Sequence, residues 1–144
     1  MSTQILSTKN DRGSSLWVGA VVGGIVAAIA NLIVFVVATQ LLSIEIRFFL
    51  QGPGSPLVPM PALPVILLSF VPALFAALLL FILRKFTARS LTIFNIIGTL
   101  FLLFSFLPIL SLPLEVGTSA KIVLAIMHLV AGGIIIGALN RTNR

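Results

Sequence analysis

The chain has 144 residues, of which 59% are hydrophobic and only 8% are charged. A water-soluble domain carries about 25% charged residues, so twelve formal charges are too few to cover a soluble surface of this size. The length allows one domain, and the composition indicates that its solvent is lipid. The lack of cysteine excludes disulfides, thiolate metal sites and thiol redox chemistry.

The net charge of +6 comes from nine Lys and Arg residues against three acidic residues. A nucleic-acid-binding surface would need a basic face with interleaved aromatic side chains, and the sequence has no such pattern. We therefore expect no nucleic-acid partner. The basic residues lie between long apolar runs, where the topology of a membrane protein explains them.

Four apolar runs predict four membrane-spanning helices. They are Leu16–Leu42, Ala62–Leu83, Leu91–Leu110 and Ile122–Leu139, and none contains Asp, Glu, Lys or Arg. Each is close to or above the ~20 residues that cross ~30 Å of hydrocarbon. The runs lack the apolar–polar alternation of strands. The first run is also far longer than the ~7–15-residue apolar core of a signal peptide, so we expect an uncleaved helix.

The expected fold is an all-α membrane protein, an antiparallel bundle of four transmembrane helices. The stem of Lys121 can snorkel and so extend the fourth helix to about residue 119. The helices are then expected over about 16–42, 62–83, 91–110 and 119–139, which form one transmembrane domain, 16–139. Short segments flank this domain at 1–15 and 140–144.

The Lys and Arg residues are unevenly divided between the two sides of the expected bundle. Seven lie in the amino-terminal segment, the second loop and the carboxy-terminal tail: Lys9, Arg12, Arg84, Lys85, Arg89, Arg141 and Arg144. Only Arg47 and Lys121 lie on the other side. By the positive-inside rule, both termini and the second loop are expected in the cytoplasm.

The first loop, residues 43–61, is the only long loop. Its prolines at 53, 56, 59 and 61 and its two glycines indicate irregular backbone. The loop is also fairly apolar. It is expected to lie on the membrane surface or cap the bundle, and the alternative is a lid or a partner-docking loop.

Small residues predict where helices approach closely, because lipid gives apolar helices no reason to associate other than packing and hydrogen bonds. Gly19 and Gly23 lie at four-residue spacing on the first helix, and Gly133 and Gly137 do so on the fourth. These two helices are therefore expected to be neighbours. Prolines should affect two other helices: a kink is expected at Pro72, and Pro108 should help to end the third helix.

Asn31 and His128 fall at nearly the same depth in the first and fourth helices. Asn31 lies ~21 Å past Trp17, and His128 lies ~20 Å before Arg141 along the helix axes. The two side chains could form an interhelical hydrogen bond that acts as a structural clamp. The alternative is a proton or ligand site, because His128 is the only side chain within the runs able to titrate near neutral pH.

Thr92, Asn95 and Thr99 follow one another at helical spacing on the third helix. With Asn31 and His128, Asn95 and Thr99 complete the candidate intramembrane polar site. No residue is assigned as catalytic, cofactor-binding or metal-binding. Haem ligation would need a second axial ligand beyond the single histidine, and a hydrolase would need an orienting acid that no run contains. We therefore expect no cofactor and no enzymatic activity.

Trp17, Asn31 and the stretch Met127–Val130 together resemble a family of short bacterial four-helix integral membrane proteins known only as a domain of unknown function. The resemblance covers about Leu16–Leu139, with an Asn in the middle of the first helix and a His in the last as its marks. It implies a multi-pass protein of the bacterial cytoplasmic membrane and brings no activity with it.

Two functions are compatible with these patterns. The first is a non-enzymatic accessory or interaction subunit, which contacts the lipid bilayer and either further copies of itself or another membrane protein. The second is a small oligomeric transporter with a mid-membrane site around His128 and Asn31. Small multidrug exporters place an acidic residue in the first helix, whereas this chain has Asn31 there, which disfavours proton-coupled export of cations.

Overall fold

The structure is a computed structural model that describes residues 2–49, 51–52 and 54–142, and the side chains from residue 15 onward within these ranges. Met1, Leu50, Pro53 and the residues 143–144 lie outside this description, as do the side chains of Lys9 and Arg12. The described helices are α1 Ser2–Val36, α2 Ala62–Phe86, α3 Ser90–Phe104, α4 Phe106–Leu110 and α5 Thr118–Arg141. A π-helical turn, Val37–Leu41, continues α1, and a 3₁₀ turn, Leu114–Val116, precedes α5.

Four helical segments in the described part of the chain are long and apolar enough to cross a membrane. They are Ser15–Leu41, Ala62–Phe86, Ser90–Leu110 and Thr118–Arg141. The predicted all-α fold with four membrane-spanning helices is therefore confirmed. α1 packs against both α2 and α5, whereas the third span, made of α3 and α4, lies at the side of the bundle.

The two ends of the bundle differ in structure. We call the end that carries the α2–α3 connection and the last turn of α5 the termini end, where Trp17 of α1 faces Phe81 of α2. The opposite end carries a small antiparallel sheet of β1 (Arg47–Phe49) and β2 (Leu57–Pro59), and we call it the hairpin end. The first loop is thus more regular than predicted.

The β-hairpin forms because apolar and aromatic residues on both strands fit a pleated surface. Phe48 pairs with Val58 and Phe49 pairs with Leu57. Pro59 is tolerated because it is the last residue of β2 in a two-stranded sheet. At this edge position, no hydrogen bond within the sheet needs the N–H that proline lacks. Ile46, just before β1, is only 2% exposed. This anchor holds the hairpin over the end of the bundle.

The described residues form two buried apolar clusters, one toward each end of the bundle. The cluster toward the termini end is built from α1, α2, α3 and α5 and contains Leu16, Ala20, Ala27, Ala73, Ala77, Leu80, Phe94, Ile135 and Leu139. The cluster toward the hairpin end contains Phe35, Ala38, Ile46, Val65, Val116, Ala120, Val123 and Met127. Alanine is frequent at the helix contacts because small side chains let helix backbones approach closely in lipid.

Glycines of α1 allow α2 and α5 to approach closely. This agrees with the predicted approach of the first and fourth helices. A Cβ atom added to Gly23 would lie 2.8 Å from the Cβ of Ala138 on α5, and one added to Gly24 would meet Phe70 of α2. The expectation that Gly133 and Gly137 form the contact of the fourth helix with the first is wrong. A Cβ atom added at either position meets nothing within 4 Å, because both lie on parts of α5 that other helices do not cover.

Two prolines have different effects on their helices. α2 runs through Pro72 without interruption. The third span is broken at Ser105, between α3 and α4, and resumes as far as Leu110. The break lies one turn before Pro108, whose ring clashes with the carbonyl of the residue four positions earlier, Phe104. The break that Pro108 causes therefore lies one turn earlier in the chain, and the helix resumes and continues past Pro108.

Candidate functional site

Asn31 lies in the interior between the two apolar clusters. Its Nδ2 donates a hydrogen bond of 2.9 Å to the Oγ of Ser69 on α2, and that hydroxyl donates in turn to the Val65 carbonyl at 2.7 Å. Both polar side chains are almost fully buried, at 4% and 3% exposure. A polar group buried in lipid is costly without a partner, and Ser69 supplies one for the Asn31 amide nitrogen.

The predicted hydrogen bond between Asn31 and His128 is wrong. The His128 Nδ1 instead lies 2.8 Å from the carbonyl oxygen of Leu124 in the same helix. Met127 is one of the residues of α5 buried in the core, and the next residue points ~100° further round the helix because a turn takes 3.6 residues. His128 therefore turns away from α1 and toward α4, where its ring lies 6.4 Å from that of Phe106.

The other two predicted site residues also lie apart. Asn95 on α3 accepts a hydrogen bond of 2.9 Å from Asn140 near the end of α5. Thr99, one turn further along α3, is exposed. The four candidate residues thus do not form one site: Asn31 joins α1 to α2, Asn95 joins α3 to α5, His128 faces α4, and Thr99 faces outward.

Asn140 and Ser69 are the partners that sequence reasoning missed. Asn140 directly precedes Arg141, and the sequence places it in the tail beyond the expected bundle. Its amide side chain was the one feature that indicated a hydrogen-bond partner within the helices. Ser69 stands alone in an apolar run, and a lone serine commonly bonds to its own helix. Its bond to Val65 does this, and the same oxygen also accepts from Asn31.

His128 lines a groove between the third span, α5 and the β-hairpin. The groove has a volume of about 480 Å³ and is lined by Arg47, Phe48, Met60, Phe101, Phe104, Ser105, Pro108, Ile109, Leu112, Leu124 and His128. Ligand sites are typically cavities of about 300–1,000 Å³ with apolar walls and a few polar groups. The groove matches this description, and the break in the third span places Ser105 in its wall.

The hydrogen bond of His128 fixes which ring nitrogen is free. A carbonyl oxygen can only accept, so in the neutral ring the proton must lie on Nδ1 to reach Leu124. Nε2 is then left with a lone pair that accepts hydrogen bonds. Within the described part of the chain, no residue donates to it. The groove therefore contains an unused hydrogen-bond acceptor.

Charges near the mouth of the groove are paired or used locally. Arg47 Nη2 lies 2.8 Å from the Glu45 carboxylate. This hydrogen bond, helped by the positive charge of Arg47, lowers the pKa of the exposed Glu45 carboxyl. Lys121 donates its ammonium to the Leu112 carbonyl at 2.6 Å, which holds the turn before α5. The charge of Arg47, which lines the groove, is thus compensated by Glu45, whereas Lys121 keeps its positive charge outside the lining.

Lys85 lies 4.6 Å from the centre of the Phe81 ring at the termini end, and that ring in turn lies 6.4 Å from Trp17. A cation over an aromatic face is attracted by the ring quadrupole, and Trp is enriched at membrane interfaces. This group therefore has the composition of an interfacial anchor. In the part of the chain that the structure describes, no three His, Cys, Asp or Glu side chains cluster as metal ligands would.

Comparison with curated proteins and with solved structures finds no match for the chain. Comparison with protein-family models does find one, and its span of residues 11–144 takes in all four membrane-spanning helices. The expected resemblance to a family of unknown function is thereby confirmed. The chain belongs to the family of unknown function DUF6069.

Proposed function

We propose that the protein is a non-enzymatic accessory or interaction subunit, whose third span packs against a transmembrane helix of a partner protein. The observation that carries this proposal is the poor burial of that span. Only 11% of its apolar window is buried within the chain, against 28–39% for the other three. Phe94 is the one buried residue of α3, and Ile109 is the one buried residue of α4.

The exposed face of α3 carries hydroxyl groups as well as apolar side chains. Thr92, Ile96, Thr99 and Leu103 are all exposed and recur at four- and three-residue spacing, which puts them on one stripe. Thr99 lies nine residues into α3, or about 14 Å along its axis, which is near mid-membrane. Small polar residues are enriched where membrane helices meet. We call this stripe the Thr99 face.

Transport through a site shared by His128 and Asn31 has less support. Such a site would need both side chains to line one cavity, whereas Asn31 is buried against Ser69 and His128 faces α4. The interior beside Asn31 is filled by the two apolar clusters. This arrangement favours a static bundle over a polar path across it.

We also propose that both termini face the cytoplasm of a bacterium and that the protein lies in its cytoplasmic membrane. Support comes from the basic residues, seven of which belong to the amino-terminal segment, the second loop and the tail, against two elsewhere. The interfacial group of Trp17 and Lys85 lies at this same end of the bundle.

Site-specific photo-crosslinking in native membranes tests the interaction. A benzoylphenylalanine residue placed at Ile96 or Leu103 is expected to give a protein adduct of one discrete mass, because these positions flank Thr99. Val22 and Ile29 of α1 are similarly exposed, at 52% and 55%, and serve as matched controls that should yield no such adduct. Thr99→Leu should lower the yield about 2- to 10-fold, the equivalent of one lost hydrogen bond.

Equal adduct patterns from α1 and α3, or lipid adducts alone, would contradict the proposal. An adduct with the mass of two copies would identify a homo-oligomer and would likewise count against an accessory role toward another protein.

A further inference from the structure

The groove beside His128 opens sideways toward lipid rather than toward the interior. Phe101 and Phe104, which form one wall, are 73% and 64% exposed. His128 lies ten residues into α5, and its bond to Leu124 draws the ring back by one turn. The imidazole therefore lies about 10 Å below the start of the helix. A molecule dissolved in the adjoining leaflet can reach the groove without entering the bundle.

Two hydrogen-bond acceptors face a ligand in this apolar groove. The first is the free Nε2 of His128 described above. The second is the Oγ of Ser105, which donates its own proton to the Leu102 carbonyl at 2.6 Å and so keeps lone pairs to offer. Acceptors in an apolar cavity favour a ligand that brings a donor, because a buried polar group without a partner is costly.

The pairing of Arg47, the charged residue in the groove lining, favours an uncharged ligand. Arg47 would attract an anion if its charge were free, but it forms an ion pair with Glu45. An anionic lipid would have to compete with that carboxylate, whereas a neutral hydroxyl would not.

We propose that this groove is a binding site for an uncharged amphiphile that bears a hydroxyl group. The hydroxyl donates to His128 Nε2, and the apolar body lies against Phe101 and Phe104. The volume of about 480 Å³ suits one chain or one small ring system. The hydroxyl can belong to a lipid alcohol or to a phenolic ring, which present the same donor. This site is independent of the Thr99 face.

Photolabelling of the full chain in phosphatidylcholine vesicles tests the site. The probe is hexadecanol with a diazirine in its chain, and its methyl ether is the matched control, which lacks only the donor proton. The alcohol is expected to label peptides that contain Phe101, Phe104 or Leu124 about 2- to 10-fold more than the ether does, the ratio that one hydrogen bond supplies. Competition by unlabelled dioleoylglycerol or by an unlabelled alkylphenol then identifies the source of the hydroxyl.

Variants of His128 assign the acceptor. His128→Leu should lower labelling by the alcohol toward that by the ether, with Ser105 Oγ as the remaining acceptor. His128→Gln should restore most of the labelling because the amide oxygen accepts. Leu129→Ala changes the adjacent residue, which is 54% exposed and lies outside the groove lining, and should leave labelling unchanged.

Equal labelling of the wild-type chain by alcohol and ether would overturn the proposal, and that comparison needs no variant to fold. Labels that map away from the groove would do so as well. So would unchanged labelling of a His128→Leu protein that keeps the wild-type melting temperature.

Discussion

Phe94→Ala is expected to lower the free energy of unfolding by about 3 kcal/mol, which is at the lower end of the range for deleting a buried phenylalanine. Phe94 is 1% exposed and is the only residue of α3 buried in the bundle. The lower end applies because the surroundings of the bundle are lipid rather than water. Burial of the ring therefore gains no hydrophobic free energy, and the loss comes from the cavity and the missing van der Waals contacts. Unfolding by SDS in mixed micelles measures the change.

Phe101→Ala is the matched control for Phe94→Ala. It removes the same side chain from the same helix, but at a position that is 73% exposed, and should change the free energy of unfolding by less than about 0.5 kcal/mol. A loss for Phe101→Ala as large as that for Phe94→Ala would show that α3 packs by a different face from the one described.

Gly23→Ala is expected to destabilise the protein by up to about 2 kcal/mol, because overpacking a close contact usually costs about 1–3 kcal/mol and helix propensity offsets part of that cost. The added methyl group would lie 2.8 Å from the Cβ of Ala138. That atom is fixed to its helix backbone, so α1 and α5 must move apart to accept the change. The cost outweighs the gain in helix propensity, which is about 1 kcal/mol for glycine to alanine.

Gly133→Ala measures the gain in helix propensity alone, because its added methyl group meets nothing within 4 Å. This variant should be neutral or up to about 1 kcal/mol more stable than the wild type. The same SDS titration reports both variants. A stabilised Gly23→Ala protein would contradict the close contact of α1 with α5.

The sequence gives the position of a residue along its helix axis, but it does not give the direction in which the side chain points around the helix. The 1.5 Å rise per residue places Asn31 and His128 at similar levels whatever the packing. Which way His128 points depends on where the neighbouring helices lie, and the structure places Met127 against the core instead. The pairing of Asn31 with Ser69 was hidden for the same reason, since a lone serine in an apolar run commonly bonds to its own helix and nothing local marks it as a partner of another helix.

The spacing of small residues likewise predicted some helix contacts and not others. Gly19 and Gly23 were correctly placed at a helix contact, yet the same spacing at Gly133 and Gly137 falls on an uncovered surface. Spacing defines a face, and only the fold decides whether that face is covered. The groove beside His128 depends on the break at Ser105 and on the hairpin, neither of which the apolar pattern specifies.

In the proposed topology, four helices cross the membrane and both termini lie in the cytoplasm. The chain has no cysteine, so single-cysteine variants give an unambiguous test in right-side-out vesicles with a membrane-impermeant maleimide. Ser119→Cys, near the hairpin end, should react from outside. Ala88→Cys, in the α2–α3 connection, should react only after permeabilisation, and Phe75→Cys, mid-way along α2, should not react in either case. Reaction of Phe75→Cys in intact vesicles would contradict the membrane-spanning fold, and reaction of Ala88→Cys from outside would contradict the orientation.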